Sequence, residues 1–340
     1  MPATEPRSWE VLADKLPPDI VTNLPATALS TGQTPDATGM NCLSEGYIHV
    51  GVIPTATTRI VKTYTIGSDT YELHYNRLWR LSTNTIIWNA PEYTTVYLPQ
   101  GKGSFTFSED SQTIIKMMPI GAAGLIFFKS TGAYILQNAA DPDANWSFSD
   151  LIQEANISTA THCVELDGLV YFANNSGLYS IDVSGKVTDL SYQYRANITA
   201  AAVTAQYEDK LIIIGDTHAY NTKSKKIFKY SGSTFEFVSR SLQSADGNQF
   251  SVDDVIFEIY RSATSDKTLK FITRVEARDW SKEYELLVPY KRGSHENVHW
   301  PISADTGRSF QLKITSLDST IKIKRILVRV SHYSAESRDK

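Results

Sequence analysis

The feature that most constrains the fold of this chain is a repeated pattern of short apolar segments joined by turn residues. Residues 124–136 are GLIFFKSTGAYIL, and residues 168–181 are GLVYFANNSGLYSI. In both segments, runs rich in β-branched and aromatic residues alternate with Gly, Asn and Ser, which tight hairpin turns favour. The pattern predicts antiparallel hairpins that recur along the chain.

Two weaker copies flank this pair, at residues 71–82 and 204–221. A period of roughly 40 to 50 residues, with about four short strands in each unit, is typical of β-propeller blades. The segments lack the 3.6-residue periodicity of helical repeats. An irregular β-sandwich with similar hairpins is the alternative. The first apolar residue after the turn of each copy recurs at spacings of 47, 44 and 42 residues: Leu78, Leu125, Leu169 and Leu211.

The repeats divide the chain into three regions. We predict an N-terminal arm at residues 1–43, a β-propeller-like domain at 44–245, and a β-sandwich or propeller-closing domain at 246–340. Residues 44–66 are a candidate fifth blade. In the last region the alternating segments are longer, as in the strands of a sandwich. The predicted fold class is all-β, with β-propeller-like repeats followed by a C-terminal antiparallel β-sandwich and preceded by an extended arm.

The N-terminal arm contains a candidate assembly element. Ser8 is placed to cap a short helix that has Trp9, Leu12 and Leu16 on one face, before a pair of prolines ends it. An arm with an apolar anchor suggests docking onto a neighbouring subunit, and a loose terminus is the alternative. Trp9, Leu12 and Leu16 are therefore the candidate assembly residues.

Composition and charge exclude several classes of protein. The chain has 340 residues, 41% of them hydrophobic, and a net charge of -4, so it can form a large core and is not a uniformly basic nucleic-acid binder. No segment approaches the ~18 to 20 apolar residues of a spanning helix. The first residues lack a secretory signal pattern, so we expect no membrane span and synthesis in the cytoplasm. Cys42 and Cys163 match no metal or redox spacing and are expected to be buried free thiols.

One motif suggests catalysis and has to be weighed. His295, Glu296 and His299 match the HExxH pattern of zinc proteases, which requires a helix that places both histidines on one face. Gly293 precedes the motif, Pro301 follows it, and strand patterns lie on both sides, so no helix of useful length is expected. We predict a polar loop, with no metal, no cofactor and no catalytic residue.

Two other polar patterns predict turns. Residues 303–310, SADTGRSF, resemble the fold-stabilising hairpin motif of sialidases and other propellers, in which the Asp accepts backbone hydrogen bonds. The pair Asp253-Asp254 is also expected in a turn. No Gly-rich phosphate loop lies between a strand and a helix, so no nucleotide site is expected.

The two strongest repeats resemble a known family. Residues 107–137 and 164–191 are similar to the tail nozzle proteins of short-tailed bacteriophages, also called packaged-DNA stabilisation proteins. The likeness is best over 100–200 and weaker near the C-terminus, and many members of the family are longer than this chain. The matching positions are mostly apolar, aromatic or Gly residues: Leu125, Phe127, Phe128, Gly132, Tyr134, Leu136, Leu169, Tyr171, Phe172, Gly177, Tyr179, Asp182, Asp189, Leu190 and Ser191.

The resemblance implies a structural virion protein that is not an enzyme. Proteins of this family form a ring, typically a hexamer, around a channel that retains and then conducts the packaged genome. The implied partners are further copies of the chain, the adaptor and portal rings, tail fibre or spike proteins, and double-stranded DNA bound without sequence specificity. The implied location is the tail of the virion. The alternative, from another class, is a carbohydrate-binding or carbohydrate-cleaving β-propeller that acts as a receptor binder or a glycosidase.

Overall fold

The computed structural model describes most of the chain between residues 8 and 333. The described residues are 8–13, 19–20, 33–34, 36–38, 50–51, 53–57, 59–88, 103–107, 112–130, 132–140, 147–152, 157–192, 198, 202–230, 235–244, 248–261, 265–276, 278–289, 295–302 and 306–333.

Strands dominate the described residues, which contain no α-helix and one 3₁₀ turn at Ala160–His162. The first thirteen strands are β1 (Ser8–Ala13), β2 (Asp19–Ile20), β3 (Gln33–Thr34), β4 (Asp36–Thr38), β5 (Thr63–Ile66), β6 (Asp69–His74), β7 (Arg77–Ser82), β8 (Thr85–Trp88), β9 (Gly103–Thr106), β10 (Ile114–Ile120), β11 (Gly124–Lys129), β12 (Ala133–Gln137) and β13 (Ser147–Ile152). The next eight are β14 (Cys163–Leu166), β15 (Leu169–Asn174), β16 (Gly177–Ile181), β17 (Val187–Asp189), β18 (Val203–Gln206), β19 (Leu211–Ile214), β20 (His218–Asn221) and β21 (Lys226–Lys229). The last eight are β22 (Glu236–Val238), β23 (Leu242–Gln243), β24 (Gln249–Arg261), β25 (Lys267–Val275), β26 (Tyr284–Val288), β27 (His295–Pro301), β28 (Ser309–Leu317) and β29 (Ile321–Tyr333).

Four sheets follow one another along the chain, and each joins strands that are neighbours in sequence. The first blade has the order β5-β6-β7-β8-β9, and the second, third and fourth blades are β10–β13, β14–β17 and β18–β21. Sheets of about four sequential strands are the blades of a propeller, so the predicted repeats are confirmed. The candidate fifth blade at residues 44–66 contributes one described strand, β5, to the first blade.

Each blade contains an equivalent hairpin, which opens the second, third and fourth blades and follows β5 in the first. We call β6, β10, β14 and β18 the leading strands, and β7, β11, β15 and β19, which follow them, the apolar strands. Two of the hairpins turn through residues of positive φ: Tyr75 and Asn76 at 50° and 60°, and Asp167 and Gly168 at 55° and 77°. Positive φ at both central positions matches the right-handed twist of paired strands.

The apolar strands form the core between neighbouring blades. Leu125–Phe128 and Leu211–Ile214 are buried along their whole length, as are most residues of β15. Phe128 of the second blade packs against Phe172 of the third, with ring centroids 5.6 Å apart. Strands with both faces covered require runs of apolar residues rather than strict alternation.

The remaining long strands form the predicted sandwich. One sheet has the order β1-β29-β24-β27, and the other has the order β26-β25-β28-β22-β4, with β23 paired to β28. Between them Phe257 lies 5.3 Å and Trp300 lies 6.5 Å from Phe271, measured between ring centroids. The all-β fold class, with a sandwich after the repeats and an extended N-terminal arm, is confirmed.

The chain forms two compact units. One spans Thr55–Gly215, which includes the first three blades and the hairpin β18–β19. The other combines the described residues of Met1–Pro54 with those of Asp216–Lys340, and so includes the sandwich. Strands from the predicted arm, β1 and β4, belong to the two sheets of that sandwich.

The helix predicted at the start of the arm is wrong. Ser8–Ala13 is a strand that pairs antiparallel with β29, with Trp9 opposite Arg329. Leu12 is 0% exposed inside its own unit and Trp9 is 46% exposed, while Leu16 lies outside the described residues. Leu12 is therefore not a surface anchor, because pairing with β29 turns its side chain into the sandwich core. The assembly role of these residues stays a prediction.

Because Leu12 is buried and Trp9 is half exposed, substitutions at these two positions of β1 should differ in their effect on stability. Leu12→Ala leaves a cavity in the sandwich and is expected to destabilise the protein by about 3 kcal/mol. Trp9→Ala, at a half-exposed position, is expected to cost below about 1 kcal/mol. Chemical denaturation of both variants measures the difference. Equal effects would mean that β1 is not part of the folded sandwich.

A glycine in the third blade predicts a second stability effect. Gly177 has φ +150°, and a Cβ there would overlap the hydroxyl of Ser191, which accepts a hydrogen bond from Leu178 N–H at 2.9 Å. Gly177→Ala is expected to destabilise by about 2 to 4 kcal/mol, since it combines strain with the loss of a buried hydrogen bond.

Gly67 supplies the matched control for this substitution. It has φ +64° but open space around its Cα, so Gly67→Ala should cost only the conformational strain of about 1 kcal/mol. Thermal melts of the two variants compare the costs, and an equal loss would show that Ser191 accommodates a methyl group.

Candidate functional site

A cavity of about 520 Å³ opens within the unit Thr55–Gly215, where the four leading strands meet. Each leading strand contributes residues to its wall, and the segment at 56–62 lies along it. A recess of about 250 Å³ shares Arg59, His74 and Glu165 with this cavity and extends it. The size is in the range of small-molecule sites.

Strand register explains which side chains reach the cavity. One position of each leading strand pairs with the second apolar residue of the apolar strand that follows it. The residues at this position are Glu72, Met118, Glu165 and Ala205. They therefore occupy equivalent positions in the four blades, and all four line the cavity. We call this set the inner ring.

A second set lies two residues earlier on the leading strands. Lys116, Cys163 and Val203 pair with equivalent positions of the second, third and fourth blades, and all line the cavity. Residues two apart on a strand point to the same face, so this outer ring stands beside the inner ring. The two rings place carboxylates, an ammonium group, a thiol and apolar side chains around one space.

Both carboxylates of the inner ring have cationic or titratable partners. Glu165, with a side chain 10% exposed, pairs with Arg59 and accepts a hydrogen bond from Gly168 N–H at 2.9 Å. Glu72, 42% exposed, lies 2.8 Å from the Nε2 atom of His74. Pairing offsets much of the free energy needed to bury these charges.

Lys116 has a different environment. Its Nζ atom donates to the carbonyl oxygens of Ala160 and Cys163 at 3.0 and 3.1 Å. Among the described residues no carboxylate lies within ion-pair distance of it. The ammonium group is therefore held by neutral acceptors, with no described carboxylate at short range.

Two tyrosines lie near Glu165. Burial raises the pKa of Tyr75, and the nearby charge of Glu165 adds to that rise. Burial likewise raises the pKa of Tyr207, with Glu165 again contributing. Tyr75 donates its hydroxyl proton to Gly124 O at 2.8 Å. Both phenols stay neutral near pH 7, so they serve as hydrogen-bonding groups rather than as charges.

The segment before the first blade ties the wall of the cavity together. Thr57 N–H donates to Ala205 O at 2.9 Å, and the Thr57 hydroxyl accepts from Tyr207 N–H at 3.0 Å. Arg59 reaches Glu165 of the third blade, and β5 then pairs with β6 of the first. We call the described residues of this segment, 55–57 and 59–62, the strap, because they contact the first, third and fourth blades.

Cys163 lines the cavity, and its buried thiol is poorly activated as a nucleophile. Burial raises the pKa of its thiol to about 12, against the opposing charge of Lys116. The reactive species is the thiolate, which is scarce four units below such a pKa. The expectation of a buried free thiol is confirmed for Cys163, whereas Cys42 lies outside the described residues.

The raised pKa predicts slow alkylation of Cys163. Iodoacetamide at pH 8 should modify it far more slowly in the native protein than after unfolding in guanidinium, as measured by mass spectrometry of the Cys163 peptide. A short peptide with an exposed cysteine serves as the reactivity control. Equal rates in the native and unfolded states would show that Cys163 is accessible as a thiolate.

The HExxH residues do not lie on the helix that the zinc-protease motif requires. His295–Pro301 is the strand β27, paired with β24, and not the polar loop that the sequence predicted. Four residues along a strand separate the Cα atoms of His295 and His299 by about 13 Å. His299 Nδ1 instead lies 3.1 Å from Asp254 Oδ2. The described residues contain no cluster of three or more His, Cys, Asp or Glu placed to hold a metal.

The Asp253-Asp254 pair and the SADTGRSF motif were the other polar patterns predicted to form turns. Asp253 and Asp254 lie within β24, so the prediction of a turn is wrong. In the SADTGRSF motif, Gly307 bridges to Phe250 through two backbone hydrogen bonds, and Asp305 is outside the described residues. The described part of the chain has no helix with the length and apolarity needed to cross a membrane.

Motif inspection of the sequence missed Glu72 and Glu165. Neither residue belongs to a catalytic signature, and each precedes an ordinary leucine in a strand. The aligned repeats nevertheless contained a signal. When they are aligned on the first apolar residue after the turn, the inner-ring position is Glu in the first and third blades and apolar in the second and fourth. Charged residues at an inward position of a repeat are unusual unless they are paired or functional.

Comparison with known proteins gave structural neighbours only. No family model matches the chain, and no curated protein matches it. An exo-β-1,3-galactanase variant from Phanerochaete chrysosporium with β-1,3-galactotriose has 10% identity, covers 94% of this chain and 100% of its own, and gives a TM-score of 0.23. A family 43 arabinoxylan arabinofuranohydrolase from Bacillus subtilis with cellotetraose has 9% identity, 78% coverage of both chains and a TM-score of 0.27. A structure described as a family 4 carbohydrate-binding module covers 40% of this chain and 81% of its own at 10% identity and a TM-score of 0.18.

This comparison corrects the function predicted from the sequence. The neighbours that the comparison names are glycoside hydrolases and a carbohydrate-binding module, and none of those named is a phage tail protein. The predicted tail nozzle is contradicted, and so is the prediction that the chain is not an enzyme. The hairpin motifs behind the resemblance have a structural role instead: Asp189 and Ser191 cap the third blade, where Asp189 Oδ1 accepts from Ser191 N–H at 2.9 Å.

Proposed function

We propose that the chain is a carbohydrate-active β-propeller that hydrolyses a glycosidic bond in the cavity at its leading strands. The observation that carries the proposal is the inner ring, which places Glu72 and Glu165 in one cavity from two different blades. Among the residues that line the cavity, these two are the carboxylates. Glycoside hydrolysis uses two carboxyl groups, one as an acid and the other as a base or nucleophile.

The surroundings of Glu165 suit the role of base or nucleophile. Both of its described polar partners, Arg59 and Gly168 N–H, are donors. A carboxyl group held by two donors presents oxygens that accept a proton or attack carbon. Glu165 is also mostly buried, so the hydrogen bonds hold it in one orientation.

The surroundings of Glu72 suit the role of general acid. Its Oε2 atom is 2.8 Å from His74 Nε2, within hydrogen-bonding distance. Trp79 Nε1–H donates to the carbonyl oxygen of His74 at 3.2 Å and so stabilises this end of the leading strand. Glu72 is more exposed than Glu165, and a general acid must reach the oxygen of the departing sugar.

The rest of the wall suits a polyhydroxylated ligand. Arg59, His74 and Lys116 donate hydrogen bonds, the two glutamates accept them, and Met118 and Val203 offer apolar surface. Sugars combine hydroxyl groups with apolar C–H faces, so a site for them combines the same two kinds of group. The cavity supports this proposal, and the weak likeness to solved glycosidases adds nothing to it.

Glutamine substitutions test the two carboxylates. Glu72→Gln and Glu165→Gln retain size and most hydrogen bonds, and each should lower turnover by about 100-fold or more, since a positioned acid or base contributes that much. Release of nitrophenol from a panel of aryl glycosides, with mass spectrometry of oligosaccharide products, measures turnover at pH 5 to 7. Glu208→Gln, at an exposed position of the same unit outside the cavity, is the matched control.

The outcomes separate the two parts of the proposal. Undiminished turnover in both glutamine variants would remove Glu72 and Glu165 from the reaction. Binding of an oligosaccharide without any turnover would contradict hydrolysis and leave a binding protein. Absence of both binding and turnover across the panel would contradict the proposal as a whole.

A further inference from the structure

We infer that the ligand of the cavity is an anionic glycan, one in which a sugar carries a carboxylate or a sulfate ester that Lys116 binds. This inference rests on the proposed carbohydrate function and specifies its ligand class. It follows from the charges in the cavity and from how they are paired.

Charge pairing leaves the cavity with surplus cations. Three side chains of the lining are permanently cationic, Arg59, Lys62 and Lys116, and two are carboxylates. Glu165 is paired with Arg59, and Glu72 lies against His74. One Arg and two Lys against two Glu leave the lining with a surplus of one positive charge, although the chain as a whole carries a net charge of -4.

Lys116 is the better placed of the two lysines. Two carbonyl oxygens, from Ala160 and Cys163, hold its Nζ atom. An ammonium group has three N–H donors, so one remains for a ligand. The carbonyls orient the group without neutralising it, which is the arrangement expected where an anion is to be bound.

Lys62 adds charge at the rim of the cavity. Its Nζ atom lies 5.0 Å from the ring centroid of Tyr64, and its side chain is exposed. No described carboxylate lies within ion-pair distance of it. A low-dielectric wall concentrates the field of such charges in the cleft. The field attracts an anion toward the cavity, and Lys116 supplies the contact.

The charged groups of the cavity favour an acidic sugar over a neutral one. Two glutamates in a cavity repel an anion, but here Arg59 forms an ion pair with Glu165, and Glu72 already has His74 as a neighbour at 2.8 Å. A neutral oligosaccharide would leave the Lys116 charge desolvated and without an anion, at a cost in free energy. An acidic sugar removes that cost and leaves the Glu72 and Glu165 contacts intact.

Calorimetric titration of the full chain with three matched trisaccharides tests the inference. The probes are neutral galactotriose, trigalacturonate, and galactotriose bearing one sulfate ester. We expect at least one acidic trisaccharide to bind about tenfold or more tightly than the neutral one, the effect of one charge-assisted hydrogen bond. Raising the salt concentration should weaken only the acidic ligands. The two acidic probes distinguish a carboxylate from a sulfate as the preferred group.

Variants assign the preference to Lys116. Lys116→Met should reduce the affinity for the acidic trisaccharide to that for the neutral one, whereas Lys116→Arg should retain most of it. Lys186→Met, at an exposed turn of the third blade outside the cavity, is the matched control and should change nothing. Circular dichroism melts verify that each variant is folded, and Lys116→Gln, which also removes the charge, replaces the Met variant if that variant unfolds.

Each outcome decides the inference. Equal binding of neutral and acidic trisaccharides, or an acidic preference that survives Lys116→Met, overturns it. Tight binding of the neutral trisaccharide alone also overturns it and leaves the proposed function standing. Failure of all three to bind overturns the inference and counts against the proposed function as well.

Discussion

The antiparallel pairing of each leading strand with its apolar strand is the interaction on which the rest of this structure depends. Two-residue turns such as Tyr75-Asn76 and Asp167-Gly168 leave no freedom in the register. A slip of one residue would turn every side chain of a leading strand to the opposite face. The same register that packs Leu125 and Phe128 between blades therefore brings Glu72 and Glu165 into the cavity. Core packing and site geometry are two consequences of one set of hydrogen bonds.

Charge pairing is the second constraint. A carboxylate as buried as Glu165 is stable only if donors replace the water that it has lost. Arg59 and Gly168 N–H supply them, and the second donor belongs to the turn that sets the hairpin register. The position of this carboxylate is therefore fixed by the backbone, and a reacting group held in this way needs little reorganisation.

Much of the fold could be predicted from the sequence, since hairpin patterns are local. The repeats around Leu78, Leu125, Leu169 and Leu211, and the long alternating strands after them, were identified from spacing and turn residues. The segment at Ser8–Ala13 was mistaken for a helix because its apolar residues fit a helical face over one turn, and pairing with β29 decided otherwise. Non-local pairing of this kind leaves no mark in a short window.

The candidate site could not be read from the sequence for the same reason. Glu72 and Glu165 are 93 residues apart and become neighbours of one cavity only through register. The HExxH residues suggested a site through local spacing alone, and a strand makes that spacing useless for a single metal ion. The resemblance to phage nozzle proteins rested on hairpin motifs, which record how a blade is built and not what it binds.

The strap has a consequence for how the unit unfolds. A row of blades that contact only their neighbours would lose its ends first and come apart stepwise. Thr57 and Arg59 join the fourth and third blades to a segment that continues into the first. The strap therefore links the first blade of Thr55–Gly215 to the third and fourth, so that unfolding one blade breaks contacts made by the others. Melting of this unit should be a single cooperative transition, and a ligand seated against the strap raises the temperature of that whole transition.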